Sequence, residues 1–141
     1  MRNLLKISDA AVLGIHALGT LTGAEEPVSA SRMAAALGVS EAHLSKVLQR
    51  LVRAGLVSSS RGPRGGFLLA TDPGRVTLLK VFEAVDGPIE EEGCLLGGPV
   101  CRISAACPAR ALADDVRELV VSRLQRLTLH DIDLSELITE S

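Results

Sequence analysis

The sequence predicts a mainly α-helical fold with one small β-hairpin and a long C-terminal helix. Apolar residues recur at helical spacing through most of the chain, and a stretch rich in glycine and proline separates two short strand-like runs. A sustained apolar stripe follows Pro108. With 141 residues, the chain has the length of one domain with a single core and an appended element.

The first part of the chain predicts three helices. Ser8 stands where an N-cap is expected, before a helix from about residue 9 to 22. A short second helix ends at Gly38, and Ser40 caps a third helix that Gly55 terminates. Two short helices joined by a small turn are typical of a helix-turn-helix.

The third helix is followed by a predicted hairpin from Leu56 to Leu69, with Arg61 and Arg64 at its tip. A hairpin directly after the second helix of a helix-turn-helix is a wing, so the predicted architecture is a winged helix-turn-helix. The other interpretation is a loop whose glycines only permit the turn. A further short helix begins after Thr77.

The last third of the chain predicts a loop and then a long helix. Residues 90–107 contain acids, glycines and all three cysteines without a sustained period, which indicates a functional loop. The amphipathic helix after Pro108 is a natural dimer interface, because a small helix-turn-helix protein needs a second copy to read two half-sites. We therefore expect a winged helix-turn-helix DNA-binding domain at 1–87, a cysteine-bearing cluster loop at 88–108, and a dimerisation helix with a C-terminal tail at 109–141.

The charge distribution favours binding to nucleic acid, although the net charge is −2. Residues 32–64 carry six basic side chains and one acid, whereas residues 83–141 carry twelve acids and five basic side chains. With two Phe and no Tyr or Trp, the chain lacks the stacking platforms of single-strand and RNA binders, so double-stranded DNA is the predicted partner. A solvated helix face is the simpler explanation of such charges. The predicted DNA-binding residues are Arg32, Glu41, Ala42, His43, Ser45, Lys46, Arg50, Arg61, Arg64 and Gly65.

No apolar run reaches the length of a membrane span, and the N-terminus lacks the pattern of a secretory signal, so we expect a cytoplasmic protein with reduced thiols.

Six residues separate Cys94 from Cys101, and five separate Cys101 from Cys107. Structural zinc sites favour closer pairs, whereas an iron-sulfur cluster accepts broader spacing. Spacing alone leaves ordinary thiols as an alternative. A redox enzyme with Cys101 or Cys107 as nucleophile would need a relay or a glycine-rich cofactor motif that the sequence lacks, so we predict no enzyme.

The segments Leu44–Val57, Arg61–Phe67 and Thr77–Gly87, followed by three spaced cysteines, resemble the Rrf2 family of transcription regulators. That family includes regulators of iron-sulfur cluster assembly, nitric-oxide-sensing repressors and repressors of cysteine metabolism. The resemblance implies a homodimer, a palindromic operator, repressor action and a two-iron or four-iron cluster that senses redox state, nitric oxide or iron-sulfur status. It also leaves a cluster-free regulator, controlled by thiol oxidation or by a protein partner, as the alternative.

This sequence differs from some members of the family at the position of the fourth cluster ligand. Regulators of cluster assembly carry a His three residues after the last cysteine, and that position is Arg110 here. Nitric-oxide-sensing members use an Asp near the start of the first helix, supplied by the other subunit, and residues 6–9 resemble that segment. The resemblance thus implies Asp9 as the ligand, while stabilisation by the helix dipole explains an acid there equally well.

Overall fold

The structure, a computed structural model, describes residues 7–89 and 106–140. Within these residues, helices form most of the chain and a single antiparallel hairpin follows the third helix. The elements in chain order are α1 (Asp9–Leu21), α2 (Ala30–Leu37), α3 (Glu41–Arg53), β1 (Val57–Ser60), β2 (Gly66–Leu69), a 3-10 helix (Pro73–Arg75), α4 (Leu78–Asp86), α5 (Pro108–Arg126), a second 3-10 helix (Leu129–Asp131) and α6 (Glu136–Thr139).

The first four helices begin where hydroxyl side chains cap them. Each cap accepts a hydrogen bond from the backbone N–H three residues later, which satisfies a donor that the first turn leaves without a partner. Gly38 then ends α2 in the left-handed conformation at φ 66°, which lets the chain turn sharply into α3. The caps are Ser8, Ser29, Ser40 and Thr77.

The hairpin is joined to the start of α2 by backbone pairing. β1 and β2 are antiparallel, with Val57 opposite Leu69 and Ser60 opposite Gly66. Val28 donates its N–H to the carbonyl of Phe67 at 3.0 Å and accepts the N–H of Phe67 at 2.8 Å. Residue 28 therefore acts as a short third strand that holds the hairpin beside the helix-turn-helix.

A single apolar core lies between α1, α3 and α4. Leu18 of α1, Leu48 of α3 and Phe82 of α4 are all at most 2% exposed. Burial of side chains of this size contributes about 1.5–3 kcal/mol each to folding. The inner faces of these helices thus fix the orientation of α3, whose other face points outward.

The segment after α5 returns to this core. Leu78 donates its N–H to the carbonyl of Leu127 at 2.9 Å, and Leu129 donates to the carbonyl of Val76 at 3.0 Å. Further along, Leu134 donates to the carbonyl of Gly19 at 3.0 Å. Residues 127–140, which we name the C-terminal segment, are therefore packed against α1 and the start of α4.

The long helix α5 has no fully buried residue. Leu112 is 55% exposed and Leu119 is 59% exposed, whereas Leu124 packs against the core. This helix accordingly leaves an apolar stripe uncovered within the described residues. None of the helices in residues 7–89 and 106–140 has the length and apolar character required to cross a membrane.

Removal of the Leu129 side chain should destabilise the whole domain. Leu129 is completely buried, so Leu129→Ala leaves a cavity that costs about 2–5 kcal/mol in the free energy of unfolding. Leu137→Ala is the matched control, because Leu137 is 40% exposed and its loss should change stability by about 0.5 kcal/mol at most. Urea unfolding measures both variants. Equal losses would contradict the packing of the C-terminal segment into the core.

Candidate nucleic-acid interface

The helix α3 has one buried face and one exposed face. Leu44, Val47, Leu48 and Leu51 are buried, which commits one face of the helix to the core. The opposite face is exposed at residues 41, 42, 43 and 46, while Ser45 is half-buried at its edge. The sequence predicts that this outward face contacts DNA. In the structure, the predicted residues lie together in the first two turns of α3: Glu41, Ala42, His43, Ser45 and Lys46.

The tip of the hairpin carries two exposed arginines, Arg61 and Arg64, between β1 and β2. Neither arginine forms an ion pair with another described residue. Gly65 has a structural task at this tip, since a β-carbon there would collide with the carbonyl of Ser60. Its N–H donates to the carbonyl of Gly62 at 2.9 Å and closes the turn.

Two predicted DNA-binding arginines also make contacts within the protein. Nη1 of Arg50 donates to the carbonyl of Val85 at 3.1 Å, near the end of α4. Nη2 of Arg32 donates to the carbonyl of Ile138 at 2.5 Å, in α6. Carbonyls in the last turn of a helix lack intrahelical partners, which explains why guanidinium groups bind there. Arg50 is therefore held toward α4, whereas Arg32 remains beside the hairpin.

An open groove of about 630 Å³ lies between the start of α2 and the tip of the hairpin. The sequence alone does not predict this groove, because it exists only where Val28 pairs with Phe67. No local pattern signals such a pairing. Its lining residues are Glu26, Pro27, Ser29, Arg32, Pro63, Arg64 and Gly65.

Of the predicted cluster ligands, the structure describes two. Cys107 is a half-buried free thiol at the N-cap of α5, and its side chain makes no capping hydrogen bond. Asp9 is exposed in the first turn of α1. Cys94 and Cys101 lie outside the described residues, and residues 7–89 and 106–140 alone contain no group of three metal-ligating side chains.

A helix-turn-helix followed directly by a hairpin wing defines the fold as a winged helix, as predicted. The chain belongs to the Rrf2 family: the family's sequence model, described as an iron-dependent transcriptional regulator, matches residues 7–133. The predicted family is therefore confirmed. The family model and the relatives named below are described as transcription regulators, which agrees with the prediction of a regulator.

Two curated relatives show the similarity in sequence. The regulator IscR of Xenorhabdus nematophila is 35% identical over 108 residues, which cover 77% of this chain and 65% of that protein. The chain thus matches slightly less than two thirds of that relative's length. The repressor NsrR of Streptomyces coelicolor is 32% identical over 130 residues, which cover 92% of this chain and 86% of that protein.

Solved structures show the similarity in fold. CymR, described as the global cysteine regulator of B. subtilis, superposes with a TM-score of 0.71 at 32% identity, covering 94% of this chain and 97% of that one. IscR of T. potens superposes with a TM-score of 0.68 at 25% identity, covering 97% and 89%.

Proposed function

We propose that this protein is a homodimeric cytoplasmic repressor that binds a palindromic operator and is controlled by an iron-sulfur cluster. The observation that carries DNA binding is the position of α3, whose buried face leaves polar and basic residues pointing away from the core. The cluster part is supported by the three cysteines and by similarity to proteins named IscR and NsrR.

The proposed binding mode places α3 in the major groove. An α-helix fits the roughly 12 Å width of that groove, and the residues near its N-terminus approach the base edges. Lys46 and His43 would donate to purine acceptors, and Glu41 would accept from the cytosine amino group. Arg61 and Arg64 on the wing would bind flanking phosphates, which give affinity without sequence information.

The proposed dimer is formed by α5. Apolar side chains at 112 and 119 lie seven residues apart, on one face of the helix, and both are more than half exposed. A second copy of the same stripe would remove them from water. Twofold symmetry would then present two α3 helices to half-sites about one DNA turn apart, which is why the operator is palindromic in this proposal.

Cys107 fits the proposed cluster in its position and chemistry. The Cys107 sulfur directly precedes α5 and makes no capping hydrogen bond, so it is free to act as a metal ligand. With Cys94 and Cys101 it would supply three sulfur ligands, and Asp9 of the partner subunit would supply the fourth. When bound, such a cluster supplies a centre that reacts with oxidants and nitric oxide. Cys107 directly precedes α5, so the protein would sense at the end of its dimer helix.

A second candidate is a cluster-free regulator of the same fold, controlled by thiol oxidation or by a protein partner. The specific observation in its favour is the similarity to CymR, described as a cysteine regulator, at 32% identity over nearly the whole of both chains. Iron content separates the two candidates.

Removal of one basic side chain from α3 or the wing should weaken binding to duplex DNA. Arg61→Ala should reduce the magnitude of the slope of log affinity against log salt concentration by about 0.9 for each phosphate that the protein no longer neutralises. Lys46→Ala removes a proposed base contact and should weaken binding by about 1–3 kcal/mol. Fluorescence anisotropy over a series of salt concentrations measures both. Lys80→Ala is the control, since this exposed lysine lies on α4, outside α3 and the wing. Unchanged affinity for both variants would overturn the proposed interface.

A charge in the apolar stripe of α5 should separate the dimer. Leu119→Lys places an ammonium group in the proposed interface, where its desolvation opposes association. Gln125→Lys adds the same charge at an exposed position about 120° around the helix. Sedimentation equilibrium should show a dimer for the wild type and for Gln125→Lys, and a monomer for Leu119→Lys. A Leu119→Lys dimer of unchanged affinity would place the interface elsewhere.

Protein purified without oxygen should be brown and contain iron and sulfide. Cys101→Ser should abolish both, because it removes one of the three thiolates that would hold the cluster. Asp9→Ala should lower cluster retention, with Glu25→Ala, an exposed acid in the loop after α1, as its control. Visible absorption and iron analysis give the readout. A colourless protein that resists reconstitution would favour the cluster-free regulator and leave the DNA-binding proposal standing.

A further inference from the structure

The groove between α2 and the wing brings together basic groups that are distant in sequence. Arg32 on α2 and Arg64 on the wing both line it, together with the cap residue Ser29. No acid forms an ion pair with either arginine within residues 7–89 and 106–140. The groove therefore has two guanidinium charges facing an open volume large enough for a small anion.

The hydrogen-bond donors at this groove are only partly used. Arg32 uses one of its five N–H donors to bind the carbonyl of Ile138, and this bond fixes the position of the guanidinium. Because the acceptor is a neutral carbonyl, the positive charge of Arg32 is not neutralised by this contact. The Ser29 oxygen accepts the backbone N–H of Arg32 at 3.2 Å, which leaves the hydroxyl proton to donate. The dipole of α2 adds positive potential at the same end.

One acid opposes this arrangement. Glu26 lines the same groove and is exposed, whereas its neighbour Glu25 is exposed but does not line it. A carboxylate that lines the groove would weaken the binding of an anion there. This pair of adjacent glutamates provides an internal comparison.

We propose that the groove between α2 and the wing is a single phosphodiester site, in which Arg32 and Arg64 bind one backbone phosphate of the DNA and Glu26 limits its affinity. The proposal rests on the proposed function, because it names where one phosphate of the same partner is held. Arg61, which does not line the groove, would contact a different phosphate. The wing and α2 would thus bind the same phosphate of the DNA backbone.

The first test uses the two glutamates. The probe is a mixed-sequence duplex of about 30 base pairs, long enough for two half-sites one turn apart. Glu26→Gln should raise affinity by about fivefold at low salt, since it removes repulsion at close range. Glu25→Gln should change affinity less near 0.15 M salt, because Glu25 does not line the groove and salt weakens its longer-range repulsion more than that of Glu26. Equal effects of the two variants at that salt concentration would overturn the site.

The second test is a double-mutant cycle. Arg32→Gln and Arg64→Gln should each weaken binding roughly tenfold, since each removes a charge-assisted hydrogen bond. If both bind one phosphate, the double variant loses less than the product of the two effects, and the magnitude of its salt slope falls by about 0.9 in total relative to the wild type, the value for one phosphate and not for two. The pair Arg32→Gln and Arg61→Gln is the control and should be additive. Additivity in both pairs would overturn the shared phosphate.

Failure of this inference and failure of the proposed function give different results. If the wild type binds no duplex at any salt concentration, the DNA-binding proposal itself is wrong. If the wild type binds with normal salt dependence and Lys46→Ala weakens it, but the groove variants do not, only the groove assignment is wrong. Urea unfolding of Arg32→Gln checks that removal of the hydrogen bond to Ile138 has not unfolded the domain.

Discussion

The backbone pairing of Val28 with Phe67 is the contact on which the position of the wing beside α2 depends. Two hydrogen bonds at 3.0 and 2.8 Å join the hairpin to the residue that precedes the cap of α2. The approach is so close that a β-carbon at Gly66 would lie 2.5 Å from the carbonyl of Val28. A two-stranded hairpin alone is marginally stable in water, and a third paired segment gives it a fixed position. The groove between wing and α2 follows from this pairing.

A second constraint ties the long helix to the same unit. The C-terminal segment follows α5 and pairs with the backbone at the start of α4 through Leu127 and Leu129. Leu134 then bonds to Gly19 of α1, and the carbonyl of Ile138 accepts from Arg32 of α2. Each step is a hydrogen bond or a buried side chain, so α5 and the helix-turn-helix share one core. Under the proposed function, this continuity is the physical connection between the cysteine end of α5 and the DNA-facing helices.

Charge is divided between two surfaces rather than balanced locally. The outward face of α3 and the tip of the wing are basic, whereas acids are concentrated on the C-terminal segment. There Asp133 accepts the N–H and the hydroxyl of Ser135 at 3.0 and 2.6 Å, and these bonds lower the pKa of its carboxyl group. That carboxylate is therefore charged at neutral pH. A net charge of −2 is thus compatible with a DNA-binding face.

The sequence by itself determined the features that depend on residues three or four positions apart. Hydroxyl caps at Ser8, Ser40 and Thr77 predicted the helix starts, the turn at Gly38 predicted the helix-turn-helix, and the stripe after Pro108 predicted α5. Resemblance supplied the family. Only the tertiary structure decided which side chains are engaged across long separations. Arg50 meets Val85 across 35 positions and Arg32 meets Ile138 across 106, and the groove needs residue 28 beside residue 67. Such contacts leave no periodic signal, because they depend on how whole elements pack and not on neighbouring residues.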